Sequence, residues 1–198
     1  MKTLLKGGGV VSGLGVRRAD VLLADGKVAA VEAGLPAGDA EVVDCGGKLL
    51  FPGFIDAHTH FDLEVAGTIT ADDFATGSRA ALRGGTTTVI DFAAPDKGES
   101  LARGLARWRE KAEGRAACDY GFHMTIDDWN GDISREIGEM AALGIPSFKM
   151  YMTYPAMMLS EGEMFQALRR LREVGGIAGV HCENDGVIRQ LTAEAKAA

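Results

Sequence analysis

Several features are missing from this chain of 198 residues, and each absence excludes a class of function. No stretch approaches the ~18 uninterrupted apolar residues of a membrane-spanning helix. The opening, Met1-Lys2-Thr3-Leu4-Leu5-Lys6-Gly7-Gly8, holds no apolar segment long enough for a secretory signal. Cysteine is scarce: Cys45, Cys118 and Cys182 are an odd count, widely separated and without paired spacing. They read as free, buried thiols in a reducing cytosol, so a cytoplasmic protein is expected. Positive charge is in deficit, 21 Lys and Arg against 28 Asp and Glu for a net −7, the wrong sign for a nucleic-acid partner. What remains is ordinary for a globular protein: 46% apolar residues, enough for a core, and 25% charged residues.

Residues 1–50 differ from the rest. Ala19–Ala24 and Lys27–Val31 flank Asp25-Gly26, a strong signal for a two-residue hairpin turn. Val42–Asp44 and Lys48–Leu50 read as a further short strand pair around Gly46-Gly47. This part is expected to be a small β-sandwich-like module.

From residue 51 the pattern becomes strand, helix, strand, helix. Expected strands are Phe51–Asp56, Thr86–Phe92, Asp119–Ile126, Ser147–Met152 and Ile177–Cys182. Thr70-Ala71-Asp72-Asp73 resembles a capping box for a helix that stops near Gly84-Gly85. Leu101, Leu105, Trp108 and Ala112 form a helical apolar stripe, as do Ile133, Ile137 and Met140. Ser160–Glu163 is a second capping box, ahead of Met164, Leu168 and Leu171 and a stop at Gly175-Gly176.

Such a run of about five βα units implies an α/β fold with a parallel sheet. No Gly-x-Gly-x-x-Gly follows its first strand, and polar residues gather at the ends of several strands. Both observations favour a (β/α)8 TIM barrel over a doubly wound sheet. A barrel of ~250 residues begun near residue 50 runs to about 300. Residues 51–198 are therefore expected to be the N-terminal part of an incomplete barrel.

The most informative feature is the pair His58 and His60, closing the run Leu49-Leu50-Phe51-Pro52-Gly53-Phe54-Ile55-Asp56-Ala57-His58-Thr59-His60. The apolar part reads as a buried strand, and residues two apart on a strand share a face. Asp56, His58 and His60 are thus expected to leave its end together, a natural beginning for a transition-metal site. In Ser147-Phe148-Lys149-Met150-Tyr151-Met152 the apolar Phe148, Met150 and Met152 suit packing against helices, which directs Lys149 into the barrel interior. An ammonium there needs either an ion pair with a neighbouring carboxylate such as Asp91, or conversion to a carbamate that bridges two metal ions. His181 ends the fifth strand, at the same mouth as His58, His60 and Lys149. Tyr154 follows the lysine strand, where its hydroxyl could stabilise an oxyanion. His123 reads as a satisfied interior histidine.

Pro52–His60, Gly84–Thr88 through Asp91, Ser147-Phe148-Lys149 and Val180-His181-Cys182-Glu183-Asn184, in that order, resemble the amidohydrolase superfamily. The nearer likeness is to its dihydropyrimidinase and D-hydantoinase family. The resemblance implies that His58 and His60 hold a first metal and that Lys149, N6-carboxylated, bridges two metals, most naturally Zn²⁺. It implies His181 as a ligand of the second metal and Tyr154 as the residue that steadies the tetrahedral intermediate. A further histidine and an aspartate would lie beyond Ala198. The implied activity is the opening of 5,6-dihydropyrimidines or 5-substituted hydantoins to N-carbamoyl amino acids. The implied partners are a small cyclic amide and, in a homotetramer, copies of the chain. Dihydroorotases resemble the histidine motif but carry an arginine where this chain has Asp62, whose charge would repel a substrate carboxylate. An allantoinase-like hydrolase, a non-catalytic scaffold relative and an inactive truncated product are the alternatives. The four retained ligand positions argue against a scaffold.

Overall fold

Asp25 and Gly26 both adopt positive φ, +52° and +73°, as the central pair of a two-residue hairpin turn must. In the computed structural model, which describes residues 1–65 and 67–198, they join β2 (Gly15–Ala24) to β3 (Lys27–Glu32). With β1 (Lys2–Ser12), β4 (Glu41–Asp44) and β5 (Leu49–Leu50) they build one five-stranded sheet, where a sandwich-like pair of layers is expected. This sheet belongs to a compact unit, Met1–Phe54. β1 is hidden in the sequence by Gly7-Gly8-Gly9. Gly8 lies so close to β5 that a Cβ there would meet Leu50 Cδ1 at 2.8 Å.

The expected pairing of Val42–Asp44 with Lys48–Leu50 is not observed. β4 runs parallel to β1 through Thr3–Lys6, and β5 runs parallel to β1 at Gly9 and Val10. Cys45 N–H donates to Lys6 O at 2.8 Å and Gly9 N–H donates to Lys48 O at 2.9 Å. The chain thus leaves β1 for one glycine-bearing turn and rejoins the same strand farther along.

The second unit, Ile55–Ala198, alternates strands and helices. Its elements are β6 (Phe54–Thr59), a small hairpin of β7 (Glu64–Val65) and β8 (Thr68–Ile69), α1 (Phe74–Arg83), β9 (Thr86–Ala93), α2 (Leu101–Ala112), β10 (Asp119–Thr125), α3 (Gly131–Ala142), β11 (Ser147–Tyr151), α4 (Glu161–Glu173), β12 (Ile177–His181) and α5 (Asp185–Ala197). The sheet order is β6-β9-β10-β11-β12, and β9 through β12 pair in parallel. Each strand lies beside its predecessor with no reversal, the winding of a (β/α)8 barrel and not of a doubly wound sheet. It is an α/β fold with a five-stranded, incomplete barrel sheet.

Local chemistry sets the helix boundaries. The α1 capping box is formed by Asp73 and Thr76, three residues later than the Thr70–Asp73 segment marked in the sequence. Thr70 is engaged elsewhere, its Oγ1 accepting from Leu63 N–H at 2.9 Å. The Ser160–Glu163 box caps α4 as expected, and Asn130 caps α3. Leu101, Leu105, Trp108 and Ala112 of α2 and Ile133, Ile137 and Met140 of α3 are buried against Phe122, Met124, Phe148 and Met150 of the sheet. Burying each large side chain stabilises the unit by ~1.5–3 kcal/mol. Leu168, expected on the same stripe of α4, is 41% exposed.

The histidine strand differs from expectation. It begins at Phe54, after Pro52 and Gly53, and it is an outer strand of the sheet. Phe54 and Ile55 are 52% and 65% exposed, so the run is not a buried strand. At the other margin, Ile177 of β12 is exposed, and α5 has no buried residue. Cys45, Cys118 and Cys182 are free thiols, but only Cys45 is buried; Cys182 is exposed. No helix among the described residues is long and apolar enough to cross a membrane.

Candidate metal centre

His58 and His60 fall on one face where β6 ends, their rings 5.1 Å apart and nearly perpendicular. Both pack on Phe92 of β9, at 4.7 Å for His58 and 4.9 Å for His60, the latter nearly stacked. Burial pushes the His60 imidazolium below its ordinary value; Asp91 opposes this, while His58 and Lys149 add to it. The neutral imidazole so favoured is the form that ligates a metal. Asp56, the third residue of the expected trio, instead accepts from the backbone N–H of His58 at 3.1 Å.

Lys149 emerges from β11 between the buried Phe148 and Met150, on the face opposite the helices. Its Nζ lies 5.9 Å from the Phe92 ring and 5.2 Å from the Tyr151 ring. No carboxylate among the described residues forms an ion pair with it, which overturns the Asp91 alternative. Asp91 cannot serve because it faces the helices. Its Oδ1 accepts from Trp108 Nε1 at 3.0 Å and Phe92 N–H at 2.8 Å. Its Oδ2 accepts from Thr59 Oγ1 at 3.1 Å and Phe61 N–H at 2.8 Å. Burial pushes the Asp91 carboxyl up, and these four donors pull it back.

His181 and Tyr154 form a second group one strand along. Their rings are 5.1 Å apart, and Tyr151 lies 5.9 Å from His181, linking this group to Lys149. His181 Nε2 contacts the Glu183 carboxylate. Tyr154 holds a left-handed backbone, φ +68°, uncommon for a bulky residue and found where surroundings over-determine the conformation. Its carbonyl accepts from Met157 and Met158 N–H at 2.8 and 2.9 Å. His123 is occupied at both nitrogens, by Ser147 Oγ at 2.6 Å and Ala57 O at 2.9 Å, and has no lone pair to spare for a metal. Asp62 does not stand as a free charge at the mouth: Lys111 Nζ lies 4.0 Å from its carboxylate and donates to its carbonyl.

Among the described residues no three His, Cys, Asp or Glu side chains gather as a metal cage. His58 and His60 supply two imidazoles, one fewer than the three protein ligands of a catalytic zinc site. The two imidazoles are donors that suit a divalent cation, whereas Lys149 Nζ, 5.9 Å from the same Phe92 ring, would oppose one as an ammonium and join them only as an anionic carbamate. Segment 63–69 contains the β7–β8 hairpin, with Ala66 outside the described residues. Segment 153–159 contributes Met158 and Leu159 to a cleft with Met152, Met164 and Glu183.

Sequence reasoning passed over Phe92, the plate on which both histidines rest, and saw Asp91 only as a partner for Lys149. Asp127, buried just past β10, also went unnoticed. The signal for Asp91 was present: an acidic residue within the apolar run Val89–Ala93 cannot be buried without donors.

Comparison with known proteins agrees with this architecture. The amidohydrolase family model matches residues 49–197. The chain is 43% identical over 202 residues to a D-hydantoinase of Streptomyces coelicolor, covering 99% of this chain and 43% of that one. It is 40% identical to the dihydropyrimidinase of Rattus norvegicus, covering 96% and 38% respectively. The crystal structure of dihydropyrimidinase from Brevibacillus agri superposes with a TM-score of 0.96 at 43% identity, over 100% of this chain and 43% of that one. The chain therefore spans well under half the length of these relatives. By the family model, and alongside relatives named for hydantoin and dihydropyrimidine chemistry, the chain belongs to the amidohydrolase family.

Proposed function

We propose that this chain carries metal-ligating residues of a hydrolase that opens cyclic amides, 5,6-dihydropyrimidines or 5-substituted hydantoins, to N-carbamoyl amino acids. The observation that carries the reading is the meeting of His58, His60 and an unpaired Lys149 around Phe92. The names of the relatives, D-hydantoinase and dihydropyrimidinase, support the substrate class. On this reading His58 and His60 would hold a first Zn²⁺ and His181 a second. Lys149, on adding its amine nitrogen to carbon dioxide with loss of a proton to solvent, would carry an anionic carbamate and supply a further ligand. When bound, the cations supply a nucleophilic hydroxide at neutral pH and polarise the ring carbonyl. Tyr154 donates a hydrogen bond to the carbonyl oxygen as it gains charge.

The test uses the purified protein as its gene encodes it, supplied with zinc and bicarbonate. Loss of ring-amide absorbance is followed for dihydrouracil and hydantoin, and bound zinc is measured on the same samples. Ring opening by the wild type, with both turnover and zinc lost in His60→Ala and Lys149→Ala, is the expected result. Wild-type zinc content and turnover in Lys149→Ala would refute the carbamate.

A further inference from the structure

We infer that Asp91 is a positioning residue for the metal centre: from the helix side of the sheet, one buried carboxylate fixes both the histidine segment and the ring that histidine packs on. The inference rests on the reading of His58 and His60 as metal ligands and adds a residue to it.

The geometry is specific. Asp91 is 1% exposed, so its hydrogen bonds are shielded from water. Oδ2 accepts from Thr59 Oγ1 and Phe61 N–H, the residues immediately before and after His60. His60 is thereby held at both flanks by one oxygen. Oδ1 accepts from Phe92 N–H, and the Phe92 ring is the one stacked on His60 and packed on His58. The remaining bond, Trp108 Nε1 to Oδ1, anchors the carboxylate to α2. β6 needs such an anchor, because it is an outer strand with most of its length exposed. His58 and His60 sit where that strand ends; from beyond β9, His123 of β10 also reaches the segment, its Nε2 lying 2.9 Å from Ala57 O. Groups that orient ligands typically change metal affinity by ~10–100-fold when removed.

The four bonds of Asp91 divide into two that hold the histidine segment, one to Phe92 N–H of its own strand and one that ties the carboxylate to α2. This division gives a test that general loss of stability cannot imitate. Zinc affinity is measured on the full chain by competition with a chromophoric chelator, in bicarbonate buffer. The proteins are wild type, His60→Ala, Asp91→Asn, Thr59→Val and Trp108→Phe, each also unfolded in urea. Thr59→Val removes one bond on the histidine side with little change of volume. Trp108→Phe removes the bond to α2 and serves as the stability control. The expected pattern is about tenfold or more weaker zinc binding in Asp91→Asn, severalfold weaker in Thr59→Val, and affinity within about twofold of wild type in Trp108→Phe. Wild-type affinity in both Asp91→Asn and Thr59→Val, with His60→Ala impaired, overturns the positioning role and leaves the metal reading intact. Equal losses in Thr59→Val and Trp108→Phe overturn it as well, by reducing the effect to stability. Wild-type binding that His60→Ala does not weaken overturns both readings.

Discussion

Replacing Asp127 with asparagine should stabilise the protein at neutral pH and leave it nearly unchanged in mild acid. Asp127 follows β10 and is 4% exposed. Burial pushes its carboxyl from 3.8 to about 6, with Asp128 and Asp96 adding to the rise and Lys97 opposing it. The folded state therefore holds this proton more tightly than the unfolded chain does. Its contribution to stability is complete below about 3.8, falls as the pH climbs through about 6, and stays lost above that. A difference of about two pH units is worth about 3 kcal/mol. Asparagine keeps the volume and never ionises, so the variant should gain up to about 3 kcal/mol on wild type between pH about 4 and pH about 8. Urea unfolding at several pH values measures this, followed by tryptophan fluorescence; Trp108 and Trp129 both lie in the second unit. A variant-to-wild-type difference that stays flat across that range would refute the argument that burial burdens this carboxyl.

Other expectations are more local. Glu136 of α3 reaches the start of α2, accepting from Leu101 N–H at 2.6 Å in a buried setting. Glu136→Ala should cost about 2–4 kcal/mol in urea unfolding, since it strands a buried donor, while Glu136→Gln should cost less than half of that. Ile137 is fully buried between α3 and the sheet, and Ile137→Ala should cost about 2–5 kcal/mol. Tyr154→Phe should lower kcat for ring opening by about 100-fold with unfolding unchanged, because only the hydroxyl is removed; unaltered kcat would exclude it as the oxyanion donor. Zinc at a hundred times its Kd should raise stability by ~2.7 kcal/mol, a shift that EDTA reverses and that His60→Ala abolishes.

The sheet of the second unit was legible because its signals are local. Strands Thr86–Ala93, Asp119–Thr125, Ser147–Tyr151 and Ile177–His181 fall within a residue of the expected spans, each bounded by glycine or a helix cap. The faces were legible too: Phe148 and Met150 alternate with Lys149, so the side on which the amine emerges follows from period two alone. The first sheet was harder. Whether Val42–Asp44 pairs with Lys48–Leu50 or with β1 depends on which edge of β1 is free, and no local pattern records that. Within the site, residue types pointed to His58, His60, Lys149, His181 and Tyr154, whereas the roles of Phe92 and Asp91 arise from contacts across strands. An apolar ring and a carboxylate in one strand look like core and surface until β6 is laid beside β9. The later placement of the first helix cap has a similar origin, since Thr70 is claimed by Leu63 N–H and Asp73 by Thr76.

Among the described residues, β6 and β12 are the outer strands of the second unit's sheet. β6 presents Phe54 and Ile55 to solvent, β12 presents Ile177, and α5 beside it in sequence shows Val187, Ile188 and Leu191 with nothing buried. Unpaired backbone and oily side chains along a border form a template onto which another strand can dock.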